Sequence, residues 1–125
     1  RFDQINKFEE LLSENGTAII KFFLYISKGE QKIRLEERIN DPQKRWKFSI
    51  GDLEERKFWD DYMKAFEDMI TVTSTEHSPW FVIPANHKWY RNLLIAQIVT
   101  NTLEGMKLET PPGPPDIDFN TLTID

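Results

Sequence analysis

The sequence predicts an α/β fold with a parallel sheet, because stretches of helical periodicity alternate with two short runs that are apolar at nearly every position. These runs cover residues 17–26 and 80–83. Strands that are apolar throughout, instead of at alternate positions, belong in a sheet covered by helices on both faces. The element order is helix, strand, two helices, strand, helix, and two parallel strands do not make an independent sheet. The chain is therefore read as the C-terminal part of a larger α/β domain that supplies partner strands; a strand within 117–124 is the other source.

The first helix follows from Phe2, Ile5, Phe8, Leu11 and Leu12, spaced by three and four so that one face is apolar, and Asn15-Gly16 supplies a left-handed stop. The run that follows is rich in β-branched and aromatic residues, as a buried strand requires. Ser27 with Glu30 is a capping-box pattern opening a helix that must end by Asp41-Pro42. Ser49 with Asp52 marks the next helix start, with Phe48 and Leu53 placed as a hydrophobic staple. Leu53, Trp59, Tyr62, Met63, Phe66, Met69 and Ile70 then predict one long helix, followed by a polar connector over 71–78. Trp80-Phe81-Val82-Ile83 reads as a short strand closed by Pro84, and Asn86 as the cap of a last helix running to Gly105. Beyond it, Pro111-Pro112-Gly113-Pro114-Pro115 forbids both helix and sheet ladder. No internal repeat or second domain is visible.

Composition narrows the function classes. A chain of 125 residues with 39% hydrophobic side chains suits one globular domain at most. No run approaches the roughly eighteen apolar residues of a membrane-spanning helix. Cysteine is absent, which removes disulfides, thiolate nucleophiles and cysteine metal sites. The net charge of −5 argues against a general nucleic-acid binder, which carries a strongly basic surface. Most of that charge lies in the tail, where Glu104, Glu109, Asp116, Asp118 and Asp125 face Lys107 alone. A start at Arg1, without an initiator methionine or targeting segment, is read as a fragment or a processed product.

The residues best suited to chemistry are Arg34, Arg38, Lys44, Arg45 and Lys47, with Trp46 set among the last three. Arg34 and Arg38 share a helical face, where like charges cost roughly 0.2–0.5 kcal/mol unless an anion lies between them. Arginine forks and lysine point charges around a Pro-marked bend would suit a flexible phosphate clamp. A solvated face is the rival reading, and on composition alone the stronger one, because Glu30 pairs with Arg34 at i,i+4 and Glu36 and Glu37 are near. Lys88 and Arg91 open the last helix just after a strand end, the edge of α/β sheets that ligands favour. Asp60 and Asp61 point about 100° apart on a helix and do not form a chelating pair. His77 and His87 lack metal-ligand spacing, and the four tryptophans are read as packing residues. No G-x-x-x-x-G-K-[ST] phosphate loop occurs. No metal ligand is assigned in this chain.

Taken in order, Gly16-Thr17, Ile20-Lys21-Phe22-Phe23, Ser27, Glu30-Gln31, Arg34, Arg38, Asp41-Pro42, Lys44, Trp46-Lys47, Ser49, Asp52, Trp59-Asp60-Asp61-Tyr62, Ser78-Pro79-Trp80, Lys88-Trp89 and Arg91-Asn92 form a specific series. Over about residues 1–104 it resembles the type-2 polyphosphate kinase family, in particular the subgroup that phosphorylates nucleoside mono- and diphosphates. D-P-x-K-x-W-K-x-S and W-D-D-Y are its most specific parts. The resemblance implies a three-layer α/β/α fold of the phosphate-loop kinase type, with a helical lid over about residues 34–62. Residues 1–104 would be the C-terminal portion of that kinase domain, and 105–125 an acidic Pro-rich tail.

The resemblance also implies transfer of a phosphoryl group from inorganic polyphosphate to a nucleoside mono- or diphosphate, with Mg2+, in the cytoplasm. Arg34, Arg38, Lys44 and Lys47 would hold phosphates in the lid, and Arg45, Lys88 and Arg91 are possible further contacts. This reverses the balance between clamp and solvated face, because phosphoryl transfer is mostly positioning and electrostatics. The family's phosphate loop, its magnesium aspartate and its acid-arginine motif are expected upstream of Arg1, so the chain alone is expected to be inactive. Its expected partners are polyphosphate, the nucleotide, and either a companion N-terminal half or further copies in a homo-oligomer; no nucleic acid or membrane is expected. The alternatives are a non-catalytic polyanion-binding or interaction module and a fragment of an ATP-dependent phosphate-loop nucleotide kinase.

Overall fold

Leu11 and Leu12 close the first turn-by-turn apolar stripe, and the chain then needs a residue that tolerates left-handed backbone. Gly16 meets that need with φ of +84°. The amide of Gly16 donates to the carbonyl of Ser13 (2.9 Å) and that of Thr17 to Leu12 (3.0 Å), the paired bonds of a Schellman stop. The first helix, α1, therefore spans Phe2–Glu14. In the computed structural model, which describes residues 1–124, it is followed by β1 (Lys21–Tyr25), α2 (Lys28–Asn40), α3 (Ile50–Glu55), α4 (Trp59–Thr73), β2 (Trp80–Pro84) and α5 (Lys88–Gly105). Short 3-10 turns at Arg45–Lys47 and Arg56–Phe58 flank α3.

The two strands are parallel, with Lys21 opposite Trp80 and Tyr25 opposite Pro84. The expected strand over 17–26 contracts to Lys21–Tyr25, because β2 offers no ladder partner before Trp80. Phe23 packs on Phe66 of α4 with ring centroids 5.0 Å apart, so one sheet face is covered. Coverage of both faces is incomplete among the described residues: Val82 remains 54% exposed. Among the described residues Leu35, Ile83 and Ala85 are the buried hydrophobic side chains, a small core for a chain of this length. The α/β class with a parallel sheet is thus observed, and no strand forms in 117–124.

Four expectations change in detail. The long helix predicted from Leu53 onward is divided into α3, a 3-10 turn and α4, without a glycine or proline at the break. Contacts across the corner hold it: the Tyr62 hydroxyl donates to Glu55, and Arg56 donates to Gln31 Oε1 at 2.5 Å. The connector is shorter than predicted, because α4 continues to Thr73, whose hydroxyl accepts from Trp80 Nε1 at 2.9 Å. Asn86 does not cap α5; His87 is the cap position and makes no side-chain cap bond. Two of the tryptophans are not packing residues in this chain, since Trp46 is 80% and Trp89 69% exposed.

After α5 the chain through Ile124 is exposed and irregular. Its local order is limited to turns such as the Ile117 amide on the Pro114 carbonyl (3.3 Å). The left-handed residue near the end of α5 is Lys107, at φ of 48°.

Candidate functional site

Both strands point their carboxyl ends at the same place, where Tyr25 leads into Ser27 and Pro84 into Asn86. Ser27 caps α2 by accepting from the Glu30 amide at 3.1 Å. The reciprocal half of the predicted capping box is absent, because the Ser27 amide donates to Asn86 Oδ1 (3.0 Å). Glu30 is thereby released to accept from Arg34 Nε at 2.8 Å. One terminal nitrogen of Arg34 then donates to the carbonyls of Ala85 (2.8 Å) and Asn86 (3.2 Å).

One turn further along α2, Arg38 donates to the Lys47 carbonyl at 3.3 Å and stands 3.8 Å from Asp52 Oδ2. Asp52 is held in turn by the capping box of α3, where Ser49 Oγ accepts from the Gly51 amide and Asp52 accepts from the Ser49 amide. Lys44 lies 3.4 Å from Asp41 and 4.0 Å from Glu37. Arg45 Nε donates to the Ile39 carbonyl at 2.9 Å, and Lys47 Nζ sits 5.0 Å from the Trp46 ring centroid. The repulsion between Arg34 and Arg38 is therefore already relieved by protein groups, and a bound anion is not needed for that purpose.

Between α2, α3, the second 3-10 turn and α4 lies a cavity of about 420 Å³. Its floor is apolar, from Ile26, Leu35, Trp59, Met63 and Phe66, while Arg34, Arg38 and Arg56 line it together with the carboxylates of Asp52 and Glu55, three cations against two anions. The Glu55 carboxylate, by accepting from Tyr62 and by its negative charge, holds the Tyr62 phenol above the usual tyrosine range.

The structure thus brings Arg34 and Arg38 together on one wall and sets Lys44, Arg45 and Lys47 on the adjoining loop. It does not bring Lys88 and Arg91 to the cavity: Lys88 is exposed and Arg91 is spent on Asn92 Oδ1, at 2.8 and 3.1 Å. Arg56, Gln31 and Tyr62 were missed as site residues. Their signal is contained in the helix break, which periodicity alone does not reveal. Asp60 and Asp61 sit in the first turn of α4, where the helix dipole favours acids. Among the described residues no group of three or more His, Cys, Asp or Glu side chains could hold a metal ion.

Helices packed on a parallel sheet, with arginines gathered near the strands' carboxyl ends, define an α/β protein suited to an anionic ligand. Comparison with known proteins makes the class specific. The family model for Polyphosphate kinase 2 (PPK2) matches residues 1–111, and the chain belongs to that family. It is 54% identical over 111 residues to the AMP/ADP-polyphosphate phosphotransferase of Meiothermus ruber, covering 89% of this chain and 42% of that protein. It is 51% identical to a Leptolyngbya boryana protein named "Uncharacterized protein in chlN 3'region", covering 89% and 82% of the two chains. The crystal structure of Polyphosphate Kinase 2 from Arthrobacter aurescens TC1 matches with a TM-score of 0.89 at 48% identity, over 95% of this chain and 42% of that one. The chain therefore spans about two fifths of the length of the enzymes it resembles.

Proposed function

We propose that this chain is the lid-bearing part of an enzyme that transfers a phosphoryl group from inorganic polyphosphate to a nucleoside mono- or diphosphate. The observation that carries the proposal is the arginine wall over an apolar cavity, at the carboxyl ends of the parallel strands. The names of the similar phosphotransferases supply the donor and the acceptor. In this reading about residues 34–62 form the lid, and Arg38, Lys44 and Lys47 hold phosphate oxygens as charge develops on them. Arg34, expected from the sequence as a fourth phosphate contact, is instead engaged by Glu30, Ala85 and Asn86 and takes no phosphate. Arg45 supports the loop that carries the two lysines. Lys88 and Arg91 at the start of α5 meet the phosphates only if the ligand extends beyond the cavity.

Magnesium, when bound, would neutralise phosphate charge; residues other than those of this chain would hold it, and no step here depends on it. The site of action is the cytoplasm. The 125 residues alone are expected to bind without turnover, since they contain no glycine loop to align the donor. Replacing Arg38 or Lys47 by Ala in the complete enzyme removes a charge-assisted contact and should lower transfer from polyphosphate to AMP or ADP by about tenfold or more. Rates close to the parent for both variants would overturn the assignment.

A further inference from the structure

Arg34 and Arg38 look equivalent in sequence, but their surroundings differ. Arg34 belongs to a closed ring of hydrogen bonds: Asn86 Oδ1 accepts from the Ser27 amide, the Ser27 hydroxyl caps Glu30, the Glu30 carboxylate accepts from Arg34 Nε, and Arg34 returns to the Ala85 and Asn86 carbonyls. The Asn86 amide also donates to Ser27 Oγ at 3.3 Å. Arg34 and Glu30 are 23% and 22% exposed, and Ala85, to which the fork reaches, is 2% exposed. Nε and one terminal nitrogen are thus engaged, which leaves the other terminal nitrogen as the free end of the fork.

We infer that Arg34 and Asn86 are positioning residues, a clasp that fixes the root of α2 to the loop after β2 and so sets where Arg38 stands over the cavity. The inference rests on the lid reading of α2 given above. Asn86 is the switch in the circuit: by taking the Ser27 amide it frees Glu30 from the capping box, and Glu30 then orients Arg34. Arg38 follows Arg34 by four residues, about 6 Å along the same helical face, so a tilt at the root moves it directly. Lysine at position 34 would keep the charge but lose the planar fork that satisfies a carboxylate and two carbonyls together.

The test compares Arg34→Lys, Arg34→Gln and Asn86→Ala with Arg38→Ala in the full-length protein. Amide hydrogen exchange at Ser27 and Ala85 reads the clasp, because the first amide bonds Asn86 and the second bonds the Tyr25 carbonyl at 2.8 Å. Exchange at both sites should quicken by about tenfold in Arg34→Lys, Arg34→Gln and Asn86→Ala. The salt dependence of inorganic polyphosphate binding counts neutralised phosphates: its slope should fall by about one in Arg38→Ala and stay at the parent value in Arg34→Gln. In transfer assays Arg34→Lys and Arg34→Gln should lower kcat more than they change KM for polyphosphate. Combining Arg34→Gln with Asn86→Ala should add little, since both open one joint. Parent-like exchange in Arg34→Lys and Asn86→Ala, or a slope lowered by about one in Arg34→Gln, would overturn the inference. Should the parent protein fail to bind polyphosphate, the proposed function fails, and the exchange measurements still decide the clasp.

Discussion

The strongest prediction about stability concerns Lys21. Its ammonium lies 2.6 Å from Glu9 Oε2 and 2.7 Å from the Thr73 carbonyl, with the Trp80 ring centroid 5.3 Å away. Their side chains are only 12% and 13% exposed, so the pair is shielded from solvent. One side chain therefore joins α1, β1, α4 and β2. Lys21→Met keeps most of the apolar stem but strands the Glu9 carboxylate and removes the donor to Thr73. Leaving a buried charge without its partner costs about 3–5 kcal/mol. Against a total stability of about 5–15 kcal/mol that is a large fraction. Urea unfolding of the full-length protein, followed by tryptophan fluorescence, should show a much lower midpoint with an unchanged m-value. Adding Glu9→Gln removes the stranded charge and should restore about 2 kcal/mol or more, a coupling that a double-mutant cycle measures. The single-variant penalty should also respond weakly to salt. A loss below about 1 kcal/mol, as an exposed pair gives, or a double variant equal to the sum of the singles, would refute the reasoning.

Two further outcomes follow from local geometry. Ser49→Ala removes the oxygen that accepts from the Gly51 amide and should destabilise the protein by about 1 kcal/mol, read as a shift of the urea midpoint; no shift would remove the cap from the account. Tyr62 should ionise at higher pH than an ordinary tyrosine, because Glu55 accepts from its hydroxyl and repels the phenolate. Its contribution to stability is full below the usual tyrosine value and is lost as pH rises through the raised one. Tyrosinate absorbance across an alkaline titration should show this, and Glu55→Ala should return the phenol towards its ordinary range.

Elements whose cause is local were legible. Gly16 ends α1 because left-handed backbone is needed there, and Ser49 with Asp52 starts α3 because both halves of the box are within four residues. The parallel strands could be read because apolar runs flanked by helical segments have few other uses. Asn86 could not be assigned correctly, since its partner Ser27 is 59 residues away and both a cap and a cross-loop bond use the same amide chemistry. The corner at Arg56–Phe58 was hidden for a similar reason: apolar periodicity passes through it, while the contacts that hold it join Gln31 to Arg56 and Glu55 to Tyr62. At the candidate site the arginines of α2 were found by type and spacing. Arg56 was not, because it reaches the cavity only through that corner.

The ion pairs of the basic loop bear on how a polyanion could be held there. A binding group must give up its own partners first, so side chains with strong internal contacts are poor ligands. Lys44 has Asp41 and Glu37 at 3.4 and 4.0 Å, and Arg38 has Asp52 at 3.8 Å, all of them partly exposed. Pairs of that kind contribute about 0–1 kcal/mol each, and salt weakens them further. They restrain the cations near the bend yet are weak enough to yield to the multivalent phosphate chain that the proposed function requires. Arg34 is different in kind, because displacing it would leave Glu30 and two carbonyls without their donor in a half-buried joint. Four residues apart on one helix, one arginine is free to exchange partners and the other is committed to them. The lid proposed above would need both properties, a root that holds its angle and a tip that releases its own salt bridges to the ligand, and α2 of this chain has a committed arginine followed by one in a weak pair.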